Sequence, residues 1–376
     1  MQLANRIESA RDTPNSEESE QGVARDPSPD LAGARAWRLA PREMEQRPRV
    51  LSGMQPTGEL HLGNYLGALK QWAALARDTT LQSLFCVVDA HAITVDYDPR
   101  SLPDRVIDAV ATYIAGGIDP NLATVFVQSD VPAHTELAWY LTSVTPMGDL
   151  HRMTQFKEKS EQHKQNVNAG LFTYPVLMAA DILVYKANVV PVGEDQIQHL
   201  ELAREISRRF NARFGEIFPE PQPRLSTTPR ILGLDGKAKM SKSMGNTIGL
   251  MDAPDVIEKK LRGAFTDPLK LRKNDPGRPE ICNIFTIHRA MSTPDTVAYV
   301  EPNCRSGALG CGDCKKLLAE RMIAELGPIR ENALALRADR KGVLNVLREG
   351  GEKARAIAEP TMREVRSAMG LTTADR

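Results

Sequence analysis

Closely spaced lysines and serines occupy one loop of this chain and suggest phosphate chemistry. Between Gly236 and Gly245 the sequence reads KAKMSKSM. Lysines neutralise the charge that develops on a leaving phosphate group, and flanking glycines allow a loop to close. The loop is therefore a candidate pyrophosphate site, with an ordinary solvent-exposed Lys/Ser loop as the alternative.

Another candidate phosphate site lies earlier in the chain, in VLSGMQPTGELHLGNYLG, from Val50 to Gly67. In chain order this is the first candidate loop, and the KAKMSKSM loop is the second. An apolar run, a turn at QPTG and an apolar helical pattern from Leu62 predict a strand, a turn and a helix in succession. Such a turn presents backbone N–H groups at a positive helix N-terminus, which suits phosphate. The sequence matches neither the P-loop motif nor the dinucleotide-binding motif. The alternative is a tight strand-to-helix turn that binds no ligand.

Acidic residues mark two further places. The apolar helix predicted over 171–185 carries one acid, Asp181, which is either a capped or salt-bridged core residue or a ligand-recognising acid in an apolar pocket. The stretch Gly193-Glu194-Asp195-Gln196 separates a predicted strand from a predicted helix. Acids there either favour the helix dipole or hydrogen-bond a ribose.

Four of the five cysteines crowd into the last third of the chain: Cys282, Cys304, Cys311 and Cys314. In a cytosolic protein such clustering points to a metal before disulfides. Four thiolates fit Zn²⁺ or a [4Fe–4S] cluster, and the spacing alone favours zinc. Four reduced structural cysteines are a further alternative. Cys86 lies in a predicted central strand and is expected in the core.

The elements that must position these residues alternate along the chain. Short apolar runs predict strands at 50–54, 84–88, 124–127, 189–192 and 231–234, with helical patterns between them. This order predicts an α/β fold with a doubly wound, parallel, Rossmann-like sheet. Because ligands bind beyond the carboxyl ends of such strands, the opening turn, Asp89-Ala90-His91 and the 193–196 stretch can share one crevice.

The chain divides into three predicted parts. Residues 1–47 are rich in Ser, Pro and charged residues and are expected to be disordered, and residues 48–255 form the α/β domain. Residues 256–376 are expected to be mainly helical, with helices at 256–265, 284–292, 315–331 and 353–369. This third part has 22 basic against 16 acidic residues, whereas residues 51–255 have 18 against 23. The basic part could face a polyanion or be an ordinary solvated helical surface.

The composition sets the broad class of protein. The chain has 376 residues, of which 41% are hydrophobic and 26% charged, which is typical of a soluble globular protein. No apolar run reaches the length of a membrane span, and the N-terminus lacks the apolar region of a signal peptide. The sequence therefore predicts a cytoplasmic protein without a membrane partner.

Two of these motifs together resemble the signatures of class I aminoacyl-tRNA synthetases. His61-Leu62-Gly63-Asn64 is similar to their His-Ile-Gly-His signature, and residues 239–243 spell their Lys-Met-Ser-Lys-Ser signature. From about Leu51 to Gly370 the chain resembles the bacterial-type tryptophanyl enzymes. The supporting stretches include VDAHAIT, QSDVPAHTELAW, MTQFKEKS, MAADILVY and VPVGEDQ.

The resemblance implies a reaction and its partners. The carboxylate of L-tryptophan would attack the α-phosphorus of ATP and release pyrophosphate, and the terminal ribose of tRNA(Trp) would then attack the adenylate. Mg²⁺ would bridge phosphate oxygens, and no covalent enzyme intermediate is needed. The resemblance also implies a homodimer, an anticodon-binding role for the helical part, and a [4Fe–4S] cluster in preference to zinc at the four cysteines.

The resemblance also assigns roles to individual residues. The residues implied in ATP binding are Gln55, Pro56, Thr57, Gly63, Asn64, Gly193, Glu194, Asp195, Ile231, Lys239, Met240, Ser241, Lys242 and Ser243. His61, Asn64, Lys157, Lys239 and Lys242 would be catalytic. Asp181 would accept the indole N–H of tryptophan, in a pocket shaped by Tyr174, Met178, Gln196 and Leu51. The family often has Phe in place of Leu51, and close relatives have Thr in place of His61.

The alternative function is a synthetase paralogue that no longer aminoacylates tRNA and binds RNA or a partner protein. The presence of Lys239, Lys242, Asp181 and Asp195 argues against it, because a retired enzyme has no need of them.

Overall fold

Apolar and β-branched runs form a parallel sheet at the centre of the protein. The computed structural model describes residues 47–156, 167–225, 231–238, 240–241 and 244–371. Within these residues, five strands pair in the order β3-β2-β1-β4-β5, and every pairing is parallel. The strands are β1 (Arg49–Met54), β2 (Gln82–Val87), β3 (Thr124–Val127), β4 (Val189–Val192) and β5 (Gln222–Leu225). The predicted fold class is confirmed.

Helices cover both faces of the sheet because both faces are apolar. Val50 and Phe85 belong to one buried apolar cluster, whereas Leu51, Leu84 and Cys86 belong to another. Neighbouring residues of a strand point to opposite faces, so the central strands contribute to both clusters. Cys86 is buried in β2, as predicted.

The fifth strand is a correction to the sequence analysis. The apolar run at 231–234 does not form a strand, and Gln222–Leu225 pairs with β4 instead. All four residues of β5 are exposed, and one of them is Pro223. An exposed edge strand needs no apolar run and tolerates proline, which explains why its sequence carried no strand signal.

Helices connect and flank the strands. Those of eight residues or more are α1 (Lys70–Arg77), α2 (Leu102–Ala115), α3 (Ala133–Thr142), α4 (Ala169–Leu183), α5 (Ile197–Phe214), α6 (Pro254–Gly263), α7 (Asn283–Met291), α8 (Pro294–Arg305), α9 (Cys311–Ala338) and α10 (Arg340–Ala368). Shorter helical turns are Leu62–Asn64, Tyr65–Leu69, Asp89–Ala92, Gln128–Asp130, Met147–His151, Glu194–Gln196 and Pro279–Ile281. Across the described ranges, no helix combines the length and apolar character that a membrane span requires.

Helix α9 holds the helical segment that follows the first candidate phosphate loop. Glu325 on α9 accepts hydrogen bonds from the Tyr65 hydroxyl and from Nζ of Lys70, both at 3.0 Å. Arg321 binds the other oxygen of the same carboxylate at 2.6 Å. Burial, and then the charge of Glu325, raise the pKa of Tyr65, so its phenol remains a donor. This contact links the C-terminal helices to the start of the sheet.

Helix α10 crosses the edge strand β3 at a pair of glycines. Before the pair, Val343 and Leu347 pack into one apolar cluster, and after it Ala354 packs into the other. At the crossing, a Cβ on Gly350 would lie 1.8 Å from the carbonyl oxygen of Val125. Only glycine allows the helix to approach the strand this closely. The pair also explains why the sequence predicted this helix only from 353 onward, since glycine disfavours a helix interior.

The substitution Gly350→Ala tests this crossing. The added methyl group would overlap a backbone oxygen, so we expect the free energy of unfolding to fall by about 3 kcal/mol. Urea denaturation followed by circular dichroism measures the change.

The neighbouring substitution Gly351→Ala is the matched control. Its Cβ would meet its nearest atom, in Arg355, at 3.4 Å, which is an ordinary contact. We expect unchanged stability or a gain of up to about 1 kcal/mol, because alanine is the better helix former. Equal denaturation midpoints for the two variants would show that the close approach of Gly350 to the Val125 carbonyl does not affect stability.

Candidate active site

The first candidate loop leaves β1 through a turn that ends at Gly58. Gly58 has a φ of 123°, a conformation that favours glycine. The helical turn Leu62–Asn64 follows, and Oδ1 of Asn64 accepts a hydrogen bond from the backbone N–H of His61 at 3.1 Å. Asn64 thus fixes the chain at the start of this helical segment, whose N-terminal end carries the positive side of the helix dipole.

The segment that follows the second candidate loop forms backbone hydrogen bonds with the first candidate loop. The N–H of Leu62 donates to the carbonyl of Ile248 at 2.8 Å, and the N–H of Leu250 donates to the carbonyl of Leu60 at 2.8 Å. Within the second loop, Met240 is buried, and its Cβ lies 3.7 Å from the position that a Cβ on Gly63 would take. The two motifs, far apart in the sequence, are therefore neighbours in the fold.

Asn246 closes the second loop. Its Oδ1 accepts a hydrogen bond from the N–H of Ser241 at 2.8 Å, and its carbonyl accepts one from the N–H of Leu234, also at 2.8 Å. Four of the residues with implied roles lie outside the described residues: Lys157, Lys239, Lys242 and Ser243.

A cavity of about 460 Å³ opens at the carboxyl ends of β1 and β4. Its lining includes Gln55, Gly63, Asn64, Gly193 and Asp195 from the implied ATP-binding set. It also includes every residue implied in tryptophan binding: Leu51, Tyr174, Met178, Asp181 and Gln196. The other described residues with implied roles lie outside the lining: Pro56, Thr57, His61, Glu194, Ile231, Met240 and Ser241. The loops that follow separate strands thus share one crevice, as the predicted topology requires.

Asp181 is held by three side chains at the inner end of this cavity. Its Oδ1 lies 2.6 Å from Nε2 of Gln128 and 2.7 Å from Nδ1 of His134, and its Oδ2 lies 2.8 Å from Nε2 of His91. From sequence alone, this acid could be either a capped or salt-bridged core residue or one that faces a ligand. The structure shows both features, since a partnered carboxylate, 6% exposed, lines the cavity.

The partners of Asp181 keep it ionised. Burial by itself raises the pKa of a carboxyl group. Here the facing His91, together with the hydrogen bonds from His134 and His91, outweighs burial and holds the pKa of Asp181 well below its ordinary value. The inner end of the cavity therefore carries a fixed negative charge that can only accept hydrogen bonds.

Sequence reasoning gave no role to Gln128 and His134, and it placed His91 in the crevice without assigning its contact. Gln128 directly follows β3, and His91 lies in the turn after β2. Their positions at the carboxyl ends of strands were the available signal. Asp181 on α4 is their shared partner. It is 90 residues from His91 and 53 from Gln128, so no local sequence pattern could predict these contacts.

Tyr174 connects the two ends of the cavity. Its hydroxyl lies 2.8 Å from Nε2 of His199 and 3.3 Å from Oε1 of Gln155. Nε2 of Gln155 in turn donates to the carbonyl of Asp195 at 2.9 Å. The apolar inner end, near Asp181, is thus linked to the loop after β4.

Comparison with known proteins identifies the family. Residues 43–327 match the family model described as class I tRNA synthetases (W and Y). The chain is 50% identical to the tryptophan–tRNA ligase of Deinococcus radiodurans, covering 86% of this chain and 98% of the relative. It is 45% identical to that of Thermotoga maritima, covering 86% and 99%. The chain belongs to the class I tRNA synthetase family.

The fold of this synthetase agrees with that of a solved relative. The tryptophanyl-tRNA synthetase of Campylobacter jejuni, solved in complex with ADP and tryptophan, superposes with a TM-score of 0.76 at 37% identity. The match covers 86% of this chain and 99% of the relative. The resemblance stated from the two signature motifs is therefore confirmed at the level of the family and the fold.

The four clustered cysteines of this synthetase lie around the N-terminal end of α9. Burial, and then the neighbouring thiols of Cys282, Cys304 and Cys311, raise the pKa of Cys314 to about 12. The thiols are therefore close enough to influence one another's ionisation. Yet no three His, Cys, Asp or Glu side chains in the described part of the chain are gathered closely enough to hold a metal ion. The donor chemistry fits a thiolate-bound metal, whereas the side-chain positions do not form a ready site.

The substitution Asp181→Asn tests the buried ionic contact. An asparagine amide would direct N–H groups at the donors of His91, Gln128 or His134, so we expect the free energy of unfolding at pH 7 to fall by about 3 kcal/mol. Because the folded-state pKa of Asp181 is depressed, its stabilising effect is present above the unfolded pKa of about 4. The difference in the free energy of unfolding between this variant and wild type should become smaller as the pH falls below about 4. Urea denaturation over a pH series measures it.

Asp339→Asn is the matched control for this substitution. Oδ1 of Asp339 caps α10 by accepting from the N–H of Gly342 at 3.0 Å, and asparagine caps a helix about equally well. A loss of stability as large as that of Asp181→Asn would contradict the importance of the buried contact.

Proposed function

We propose that this chain is a tryptophan–tRNA ligase that activates L-tryptophan with ATP and transfers the amino acid to tRNA(Trp). One observation carries the proposal: a single cavity is lined both by Asn64 of the first signature motif and by the buried acid Asp181. The activity of the relatives from Deinococcus and Thermotoga supports the same reaction.

The inner end of the cavity takes the indole ring. Leu51, Met178 and Tyr174 supply apolar surface, and Asp181 accepts the ring N–H. A ligand without that N–H would leave a buried carboxylate with an unmet hydrogen bond, and sites of this kind discriminate by roughly 10⁴–10⁵. Gln196, at the wall formed by the loop after β4, is placed to reach the amino acid.

The outer end takes ATP. Gly63 and Asn64 supply the N-terminal end of a helical segment to the phosphates, and Gly193 and Asp195 meet the adenosine. Pro56, Thr57, Glu194 and Ile231 border the same ligand in this proposal. Mg²⁺ accompanies the triphosphate and neutralises part of its charge.

Catalysis by this arrangement consists of positioning and charge stabilisation. The tryptophan carboxylate attacks the α-phosphorus, and pyrophosphate leaves toward the second signature loop. Lys239 and Lys242, with Lys157, neutralise its charge, and Met240, Ser241 and Ser243 of the same motif also bind ATP in this proposal. The pairing of Leu62 with Ile248 supports this role, because it ties the second loop to the first.

The helical part from 256 to 376 binds tRNA in this proposal, and its boundary near Asp255 stays a prediction. Its excess of basic residues suits a polyanion. A homodimer and a location in the cytoplasm, where translation takes place, belong to the same proposal.

In the same proposal the four cysteines would hold a [4Fe–4S] cluster, with zinc as the alternative. Burial and mutual repulsion make thiolates unfavourable at Cys282, Cys304 and Cys314, and a bound cation reverses this effect. The cysteine spacing and the family resemblance support the cluster, and ordering the loops before α9 is the role we assign to it.

Tryptophan-dependent exchange of pyrophosphate into ATP tests the catalytic proposal. We expect Lys242→Ala to lower kcat by about 100-fold or more, since one stabilising cation is lost, with little change in the KM for tryptophan. Asp181→Ala should instead raise the KM for tryptophan. Lys353→Ala, an exposed lysine on α10, is the control and should match wild type.

The same assay separates the competing function. Exchange that is normal while tRNA charging is absent would favour the non-aminoacylating paralogue. Absence of tryptophan-dependent exchange in the wild-type chain would overturn the proposal itself.

Metal analysis of anaerobically purified protein tests the cysteine proposal. We expect about four iron atoms per chain, with visible absorbance that Cys304→Ser removes. Cys86→Ala, at the buried cysteine of β2, should retain the iron. About one zinc atom per chain would select the alternative, and neither metal would leave four reduced cysteines.

A further inference from the structure

A buried pair of side chains lies behind Asp181 on the side away from the cavity. Nδ1 of His134 contacts Oδ1 of Asp181 at 2.7 Å, and Nε2 of His134 lies 2.8 Å from the hydroxyl of Tyr185. His134 and Tyr185 are both completely buried, and neither lines the cavity. Phe126 packs against both rings, with centroids 5.9 Å from His134 and 5.6 Å from Tyr185. Neither residue therefore touches a ligand in the cavity.

The chemistry of the three groups fixes the direction of each hydrogen bond. Burial raises the pKa of Tyr185 well above its ordinary value, so its phenol keeps the proton and donates to Nε2 of His134. The carboxylate of Asp181 can only accept, so Nδ1 of His134 carries a proton and donates to it, while Nε2 accepts from Tyr185. The hydroxyl of Tyr185 thereby selects the histidine tautomer that the carboxylate needs.

The donors that the described residues place around Asp181 leave room for one more. A carboxylate offers about four acceptor positions, two on each oxygen. Gln128 and His134 occupy both positions of Oδ1, and His91 occupies one position of Oδ2. Of these three partners only His91 lines the cavity, so the position left on Oδ2 faces the ligand side.

We propose that Tyr185 and His134 act as positioning residues that hold the carboxylate of Asp181 with a single acceptor position open to the cavity, and so set the preference for a ligand with one ring N–H. This inference rests on the proposed function. If the tautomer of His134 changed, Nδ1 would present a lone pair to a carboxylate, and the two groups would repel each other. Asp181 would then rotate, and its open position would no longer meet the ring N–H.

The discriminating experiment compares two amino acids on each variant. L-tryptophan and 3-benzothienyl-L-alanine, in which sulfur replaces the ring N–H, are used in ATP–pyrophosphate exchange. The measured quantity is the ratio of the two kcat/KM values. Because both substrates report on the same enzyme sample, this ratio does not depend on the fraction that is folded, even where a variant loses stability.

We expect Tyr185→Phe to lower this ratio about tenfold, through a higher KM for tryptophan, with the KM for ATP unchanged. His134→Leu should lower it at least as far. His134→Asn, whose amide can donate from near the position of Nδ1, should fall between His134→Leu and wild type.

Tyr113→Phe is the matched control, because Tyr113 is equally buried and its hydroxyl donates to a backbone oxygen, that of Met54, at 3.4 Å. It should keep the wild-type ratio. A ratio within twofold of wild type in both Tyr185→Phe and His134→Leu would overturn the proposal.

Asp181→Asn separates this inference from the proposed function. If Asp181→Asn loses discrimination while Tyr185→Phe and His134→Leu keep it, the acid recognises the ring but the buried pair does not position it. If Asp181→Asn keeps discrimination, recognition of the indole by this acid is itself wrong, and the positioning role falls with it.

Discussion

The ionised carboxylate of Asp181 is the constraint on which the arrangement of the active site depends. A charge with this little exposure is tolerated only where donors surround it, and three helical elements that follow strands β2 and β3 supply them. His91 comes from the turn after β2, Gln128 directly follows β3, and His134 lies on α3. A single buried charge thus fixes α4 against the carboxyl edge of the sheet and places one polar group at the inner end of an otherwise apolar pocket.

Contacts between distant segments bring the outer end of the cavity together. The backbone of Leu60–Leu62 pairs with that of Ile248–Leu250, so the loop carrying Met240 and Ser241 returns to the helical turn that follows β1. Such pairing fixes the position of the loop through backbone groups and does not use side chains. On the far side of that helical segment, Glu325 of α9 binds Tyr65 and Lys70. The first signature motif is therefore fixed both to the second loop and to the C-terminal helices.

The C-terminal helices contribute to the same core as the sheet. Helix α10 passes the edge strand β3 at Gly350 and packs into the apolar clusters of both faces. A change of position in the C-terminal helices would therefore be felt at β3, the strand that Gln128 directly follows. Helix α9, through Glu325 and Tyr65, and helix α10, through Gly350 and β3, thus connect the C-terminal helices to the elements that form the pocket.

The sequence by itself determined the parallel α/β sheet, four of its five strands, the two signature loops and the candidate acid, because apolar periodicity, glycine turns and residue type are local properties. Only the tertiary structure decided the edge strand at Gln222–Leu225, whose exposed residues carry no apolar signal. It alone also decided the partners of Asp181, the pairing of Leu62 with Ile248 and the crossing at Gly350. These contacts join residues far apart in the chain, and their geometry is set by how the helices pack on the sheet, which no single stretch of sequence encodes.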